Sequence, residues 1–132
     1  MPDSVWTIVV AGGSGQRFGR PKQFEELGGR RVLDWAVAAA ADASEGVVVV
    51  LPAGEVEASP PRHGRRGSSR SESVRNGLAA VPESATIVCV HDAARPFATS
   101  RLFDAVIDAV VSGADGALPG IPVSDTIKVV SG

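Results

Sequence analysis

Val5-Trp6-Thr7-Ile8-Val9-Val10-Ala11-Gly12-Gly13-Ser14-Gly15-Gln16-Arg17-Phe18-Gly19-Arg20-Pro21-Lys22-Gln23 is a β-branched run that passes directly into a glycine-rich, basic loop. Val5 to Ala11 is expected to form the first strand. Its unbroken apolar character from Ile8 to Ala11 suits a strand covered on both faces. Glycines after such a strand let the backbone approach an anion closely and turn N–H groups toward it. The loop is not a Walker A sequence, because no Gly-Lys-[Ser/Thr] closes it. Its Gly13-x-Gly15-x-x-x-Gly19 spacing also misses the dinucleotide fingerprint by one residue. For the glycines alone a purely structural turn is the plain alternative, and the cations Arg17 and Lys22 beside them shift the reading toward phosphate.

Outward from this segment, β-branched runs alternate with longer stretches of helical period, the pattern of successive βα units around a mostly parallel sheet. Val32, Leu33, Ala36, Val37 and Ala40 mark a first long helix. Gly46 restarts the chain into a second buried strand, Val47 to Leu51, ended by Pro52. Residues Ala53 to Gly67 carry no usable period and read as a mobile loop. Ser69 with Glu72 forms a capping box that predicts a helix from Arg70 to Val81, stopped by Pro82. A strand over Thr86 to Val90 comes next. A helix over Ser100 to Ser112 then turns Leu102, Phe103, Val106, Ile107 and Val110 inward, and Leu118 to Val123 and Ile127 to Val130 look extended. The expected architecture is a three-layer α/β/α sandwich with a Rossmann-like twisted sheet. Residues 1–132 are expected to form a single domain.

With 132 residues, 44% of them hydrophobic, the chain can bury one sizeable core. A formal net charge of −2 leaves no global attraction for nucleic acid or anionic membranes, so any polyanion must be met locally. Arg62, His63, Arg65 and Arg66 form a basic cluster without the aromatics that would stack on bases, which argues against nucleic acid as a partner. No apolar run approaches the ~20 residues of a spanning helix, and no secretory leader is evident. The lone Cys89 lies inside an apolar run and reads as a small buried hydrophobe in a reducing, cytoplasmic setting. Gly132 follows a strand-like run with no helix or cap behind it, so the chain reads as part of a longer protein.

Four ordered segments carry a family resemblance: Ala11-Gly12-Gly13-x-Gly15-x-Arg17 with Pro21-Lys22-Gln23; Arg70-Ser71-Glu72-Ser73-Val74-x-x-Gly77-Leu78; His91-Asp92-Ala93-Ala94-Arg95-Pro96; and Pro122-Val123-Ser124-Asp125-Thr126-Ile127-Lys128. Together they resemble the 2-C-methyl-D-erythritol 4-phosphate cytidylyltransferase (IspD) family of the nucleotidyltransferase superfamily. The resemblance implies transfer of CMP from CTP to 2-C-methyl-D-erythritol 4-phosphate, with release of pyrophosphate, in isoprenoid precursor synthesis by the non-mevalonate route.

By the same resemblance, Arg17 and Lys22 are catalytic cations on the CTP phosphates, and Ala11, Gly12, Gly13, Ser14, Gly15, Lys22, Arg70 and Ser73 bind the nucleotide. Asp92 holds Mg²⁺ beside the acceptor, and Arg95 and Thr126 bind the acceptor with it. Fixed cations are what such a transfer needs, since the reaction asks little covalent chemistry of the protein. Plainer roles stand beside these: a turn cap for Asp92, a helix-start cap for Ser73, a solvated charge for Lys128. His91 reads as a structural hydrogen bonder. The family also implies a C-terminal arm and a homodimer in the full-length protein. Ribitol-5-phosphate cytidylyltransferase and a non-catalytic nucleotide-binding fragment are the alternative readings.

Overall fold

The computed structural model describes residues 2–13, 19, 21–55 and 62–131. In chain order, strand β1 (Val5–Val10) is followed by a single 3-10 turn (Lys22–Phe24), strands β2 (Glu26–Leu27) and β3 (Arg30–Arg31), helix α1 (Val32–Ala43) and strand β4 (Gly46–Leu51). Strand β5 (Arg62–Arg65), helix α2 (Arg70–Leu78), strand β6 (Ile87–Asp92) and helix α3 (Ser100–Val111) complete it. Four strands form one parallel sheet in the order β5-β4-β1-β6. The small antiparallel pair β2–β3 turns through Gly28 and Gly29, whose φ of 61° and 82° suit a two-residue hairpin that glycine adopts without strain.

The alternation of strand side chains sorts the core into two layers. Val9, Val47, Val49 and Leu51 face α1 and α3, packing on Leu33, Ala36, Ala40, Phe103 and Ile107. Ile8, Val48 and Val50 face the opposite side, against Ala80 and Val81 behind α2. Both faces of β1 and β4 are therefore covered, which is why their sequences are continuously apolar; each fully buried valine there contributes about 1.5–3 kcal/mol relative to exposure. Helix α2 reaches the sheet through Gly77. A Cβ at that position would stand 2.6 Å from Ile8 Cγ2 and 2.9 Å from Val50 Cγ2, and the Cα of Gly77 in turn lies against Gly64 of β5.

The three-layer sandwich agrees with the sequence reading, and several local expectations do not. The stretch 53–67, expected as a loop, contributes β5, because backbone pairing to β4 and the close Gly64–Gly77 approach recruit residues with no hydrophobic signal. Helix α2 ends at Leu78, and Ala80 and Val81 follow in tighter turns that donate to Gly77 O and Leu78 O. Leu102, expected inward, is 39% exposed, whereas Phe103 and Ile107 are buried. Residues 118–131 form no strand, and Leu118, Ile121, Ile127, Val129 and Val130 are exposed. A β-branched composition makes a strand only where a ladder partner meets it. Cys89 is half-buried, and burial pushes its thiol pKa up despite a hydrogen bond with Thr7. Among the described residues no helix is long and apolar enough to cross a membrane.

Candidate active site

From β1 the chain moves outward through β4 to β5, then returns to place β6 on the other side of β1. Such a reversal opens a crevice at the carboxyl ends of the strands, where open α/β sheets bind ligands. Ladder bonds persist one residue beyond each strand, from Ala11 N to Val50 O (2.8 Å), Ala93 N to Val10 O (3.0 Å) and Arg66 N to Leu51 O (2.9 Å). Beyond them the chains diverge around a cleft of about 540 Å³.

The glycine loop forms one wall. Gln23, 5% exposed, donates from Nε2 to Ala11 O at 2.8 Å and to Gly13 O at 2.7 Å. Because the peptide is planar and trans, holding the Ala11 carbonyl toward Gln23 aims the Gly12 N–H the opposite way. Neither Gly12 nor Gly13 donates its amide to another described residue, which leaves both for an anion.

A second wall is the entry to α2. Ser69 Oγ accepts from Glu72 N at 3.1 Å, the forward arm of the expected capping box. The return arm is displaced by one residue: Glu72 Oε2 accepts from Ser68 N at 2.7 Å and from Ser68 Oγ at 2.5 Å, and these bonds hold the Glu72 carboxyl below its usual pKa. Ser73, 4% exposed, is not the cap. Its hydroxyl donates to Ser69 O at 3.0 Å and accepts from Gly67 N at 2.9 Å, tying the loop 67–69 onto the helix and leaving one lone pair unused.

The third wall is the end of β6. Asp92 Oδ1 lies 2.5 Å from Arg70 Nη1, and Oδ2 lies 3.5 Å from Arg95 Nε. His91, one residue earlier, points to the other face, edge-on to Phe103 at 5.0 Å between centroids. Its Nε2 is buried with no hydrogen-bond partner among the described residues, so packing replaces the hydrogen-bonding role expected of it. Burial lowers its pKa, Asp92 raises it and Arg95 lowers it.

Of the residues singled out from sequence, Ala11, Gly12, Gly13, Arg70, Ser73, Asp92 and Arg95 line this cleft. Lys22 opens the 3-10 turn beside Gln23 and lies outside the lining, and Thr126 and Asp125 lie exposed after α3. Ser14, Gly15 and Arg17 lie outside the described residues. Sequence reasoning passes over Gln23, Gly67, Ser68 and Arg66. Gln23 stands in the Pro21-Lys22-Gln23 segment without a role of its own, and Arg66 counts there only as part of the basic cluster.

Among the described residues no three of His, Cys, Asp or Glu gather as a metal cage. Asp92 alone suits an ion that keeps water and phosphate oxygens as its other ligands, which is ordinary magnesium behaviour.

The sequence pattern of the family described as IspD, 2-C-methyl-D-erythritol 4-phosphate cytidylyltransferase, matches residues 5–132. The chain is 42% identical to the 2-C-methyl-D-erythritol 4-phosphate cytidylyltransferase of Rubrobacter xylanophilus, over 95% of this chain and 59% of that one. It is 42% identical to the enzyme of that name from Streptomyces coelicolor, over 98% and 54%. The crystal structure of 2-C-methyl-D-erythritol 4-phosphate cytidylyltransferase from Thermus thermophilus superposes with a TM-score of 0.71 at 34% identity, covering 98% of this chain and 59% of that one. The chain thus spans little more than half the length of these relatives.

Proposed function

This chain belongs to the 2-C-methyl-D-erythritol 4-phosphate cytidylyltransferase family, and from that premise we propose that it binds CTP and passes cytidylate to 2-C-methyl-D-erythritol 4-phosphate. A phosphate oxygen of the acceptor attacks the α-phosphorus of CTP in line. The bond from that phosphorus to the bridging oxygen breaks as the new P–O bond forms, and pyrophosphate leaves.

The observation that carries this reading is the convergence of the Gly12–Gly13 backbone, the Ser73-braced loop and the Arg70–Asp92–Arg95 cluster on one cleft at the sheet's reversal point. Backbone amides and guanidinium groups held in place stabilise charge on non-bridging oxygens without reorganising. In this reading Ala11, Gly12, Gly13, Ser14 and Gly15 cradle the nucleotide, Arg17 and Lys22 meet charge developing on the phosphates, and Arg70 orients the nucleotide side. The spare lone pair of Ser73 accepts from the exocyclic amine of cytosine. Asp92, Arg95 and Thr126 face the acceptor. Asp92 would hold magnesium, which when bound neutralises charge on the triphosphate. A homodimer and a cytoplasmic setting belong to the same proposal; light scattering tests the first.

Mixing the protein with CTP, Mg²⁺ and 2-C-methyl-D-erythritol 4-phosphate should release pyrophosphate. Release with ribitol 5-phosphate instead would reassign the acceptor. Calorimetry should show CTP bound in preference to ATP, and equal or tighter ATP binding would overturn the cytidine assignment.

A further inference from the structure

Three arginines line the cleft, and Asp92 engages two of them, Arg70 and Arg95. The third, Arg66, makes no side-chain hydrogen bond or ion pair with any described residue. Its position is nonetheless fixed at the root. Its amide donates to Leu51 O at 2.9 Å, extending the β4–β5 ladder, and the next amide, that of Gly67, donates to Ser73 Oγ at 2.9 Å.

From that root the stem crosses Gly12. A Cβ on Gly12 would stand 2.9 Å from Arg66 Cγ, 3.0 Å from its Cβ and 3.3 Å from its Cδ. Of these atoms Cβ is fixed by the backbone, and Cγ moves only with a change of rotamer at χ1, which would redirect the whole side chain. The absence of a side chain at Gly12 is therefore what admits the Arg66 stem beside the glycine loop. The Arg66 stem thus lies against a glycine loop whose Gly12 and Gly13 amides donate to no described residue, and all three residues line the same cleft.

We infer that Arg66 is a further nucleotide-binding residue of the cleft, pairing its guanidinium with the polyphosphate of the bound nucleotide, and that Gly12 makes room for it. The inference deepens the CTP reading and rests on it. A planar guanidinium fork matches two phosphate oxygens; Arg70 and Arg95 each turn one nitrogen toward Asp92, whereas the Arg66 fork is engaged by no described residue.

The test is calorimetric titration of the chain and of Arg66→Ala and Arg66→Lys with inorganic tripolyphosphate, CTP and cytidine, at two salt concentrations. Circular dichroism should show all variants folded, since Arg66 is exposed. Arg66→Ala is expected to weaken tripolyphosphate and CTP roughly tenfold, to flatten the salt dependence and to leave cytidine unchanged; Arg66→Lys should recover part of the loss. Gly12→Ala should show a similar loss in the unaltered chain and little further loss in the Arg66→Ala background.

Tripolyphosphate binding that does not differ between the chain and Arg66→Ala overturns the inference. So does a loss confined to cytidine and CTP, which would place Arg66 on the base. If CTP fails to bind while tripolyphosphate binding still depends on Arg66, the cytidine assignment fails and the anion contact stands.

Discussion

Arg70 Nη1 lies 2.5 Å from Asp92 Oδ1, joining the first residue of α2 to the last residue of β6 across 22 positions of sequence. With Arg95 on the other oxygen, the carboxylate is fixed between two cations at the mouth of the cleft. Ion pairs this exposed contribute about 0–1 kcal/mol to stability. The consequence of the arrangement is positional: it aims Asp92 and keeps both guanidinium groups at the ligand's edge.

Asp92→Asn preserves the shape and removes the charge. The variant should fold, with stability changed by no more than about 1 kcal/mol, and its CTP binding should depend less on Mg²⁺ than that of the unaltered chain. Calorimetry with and without the ion measures this. A folded variant with the same magnesium dependence would return Asp92 to an anchor for Arg70 and Arg95.

Gln23→Leu removes the donor that Ala11 O and Gly13 O share. Leaving these carbonyls without a partner should cost about 1–3 kcal/mol in urea denaturation and weaken CTP. Gln23→Glu should be worse at neutral pH, where a carboxylate would face two carbonyl oxygens, and should improve as pH falls and the carboxyl regains a proton. An affinity for CTP that is unchanged in both variants would show that the loop holds its shape without Gln23.

Strands β1 and β4 were legible because burial on both faces writes itself into sequence as apolar runs, and β6 was legible from its β-branched composition although Val88 and Val90 are exposed. Arg62-His63-Gly64-Arg65 carries no such signal, since β5 sits at the sheet edge and is held by its backbone and by the approach of Gly64 to Gly77. The site divides in the same way. Gly12, Gly13, Asp92 and Arg95 announce themselves as glycine and charge at strand ends. The roles of Gln23 and Arg66 depend on which backbone they reach after folding, Gln23 back across 10 and 12 positions and Arg66 over Gly12, and no local pattern encodes that.

Gly77→Ala tests the packing of α2. Alanine favours a helix over glycine by about 1 kcal/mol, but its methyl would enter contacts of 2.6 Å with Ile8 and 2.9 Å with Val50, and both partners are fully buried. Overpacking of this kind typically costs about 1–3 kcal/mol, so a net loss of stability is expected in thermal denaturation. A stabilised variant would mean that α2 can lift from the sheet without penalty.

The remaining prediction concerns acid. His91 is 8% exposed, and burial lowers its pKa from an ordinary value of 6.5; Asp92 raises it in opposition and Arg95 lowers it further. The unfolded chain therefore takes up a proton at this residue at a higher pH than the folded chain does. Well above pH 6.5 both forms are neutral there and His91 has no effect on the pH dependence of stability. As pH falls toward and through that value the unfolded state binds more protons, and stability declines until the folded-state pKa is passed. The carboxyls of Glu72 and Asp34, whose pKa values are lowered by Ser68 and Arg31 respectively, contribute stability that is lost only at lower pH, beneath their ordinary 4.5 and 3.8. The two windows are thus separate. In His91→Leu the fall in denaturation midpoint between about pH 7.5 and 5.5 should be smaller than in the unaltered chain, with the loss at still lower pH retained. Asp92→Asn should steepen the first window, because it removes the one charge that favours the imidazolium. Equal midpoint changes in the unaltered chain and His91→Leu would mean that the imidazole accepts its proton as readily folded as unfolded, by turning Nε2 out to solvent, and the packing against Phe103 would then be too loose to exclude the charge.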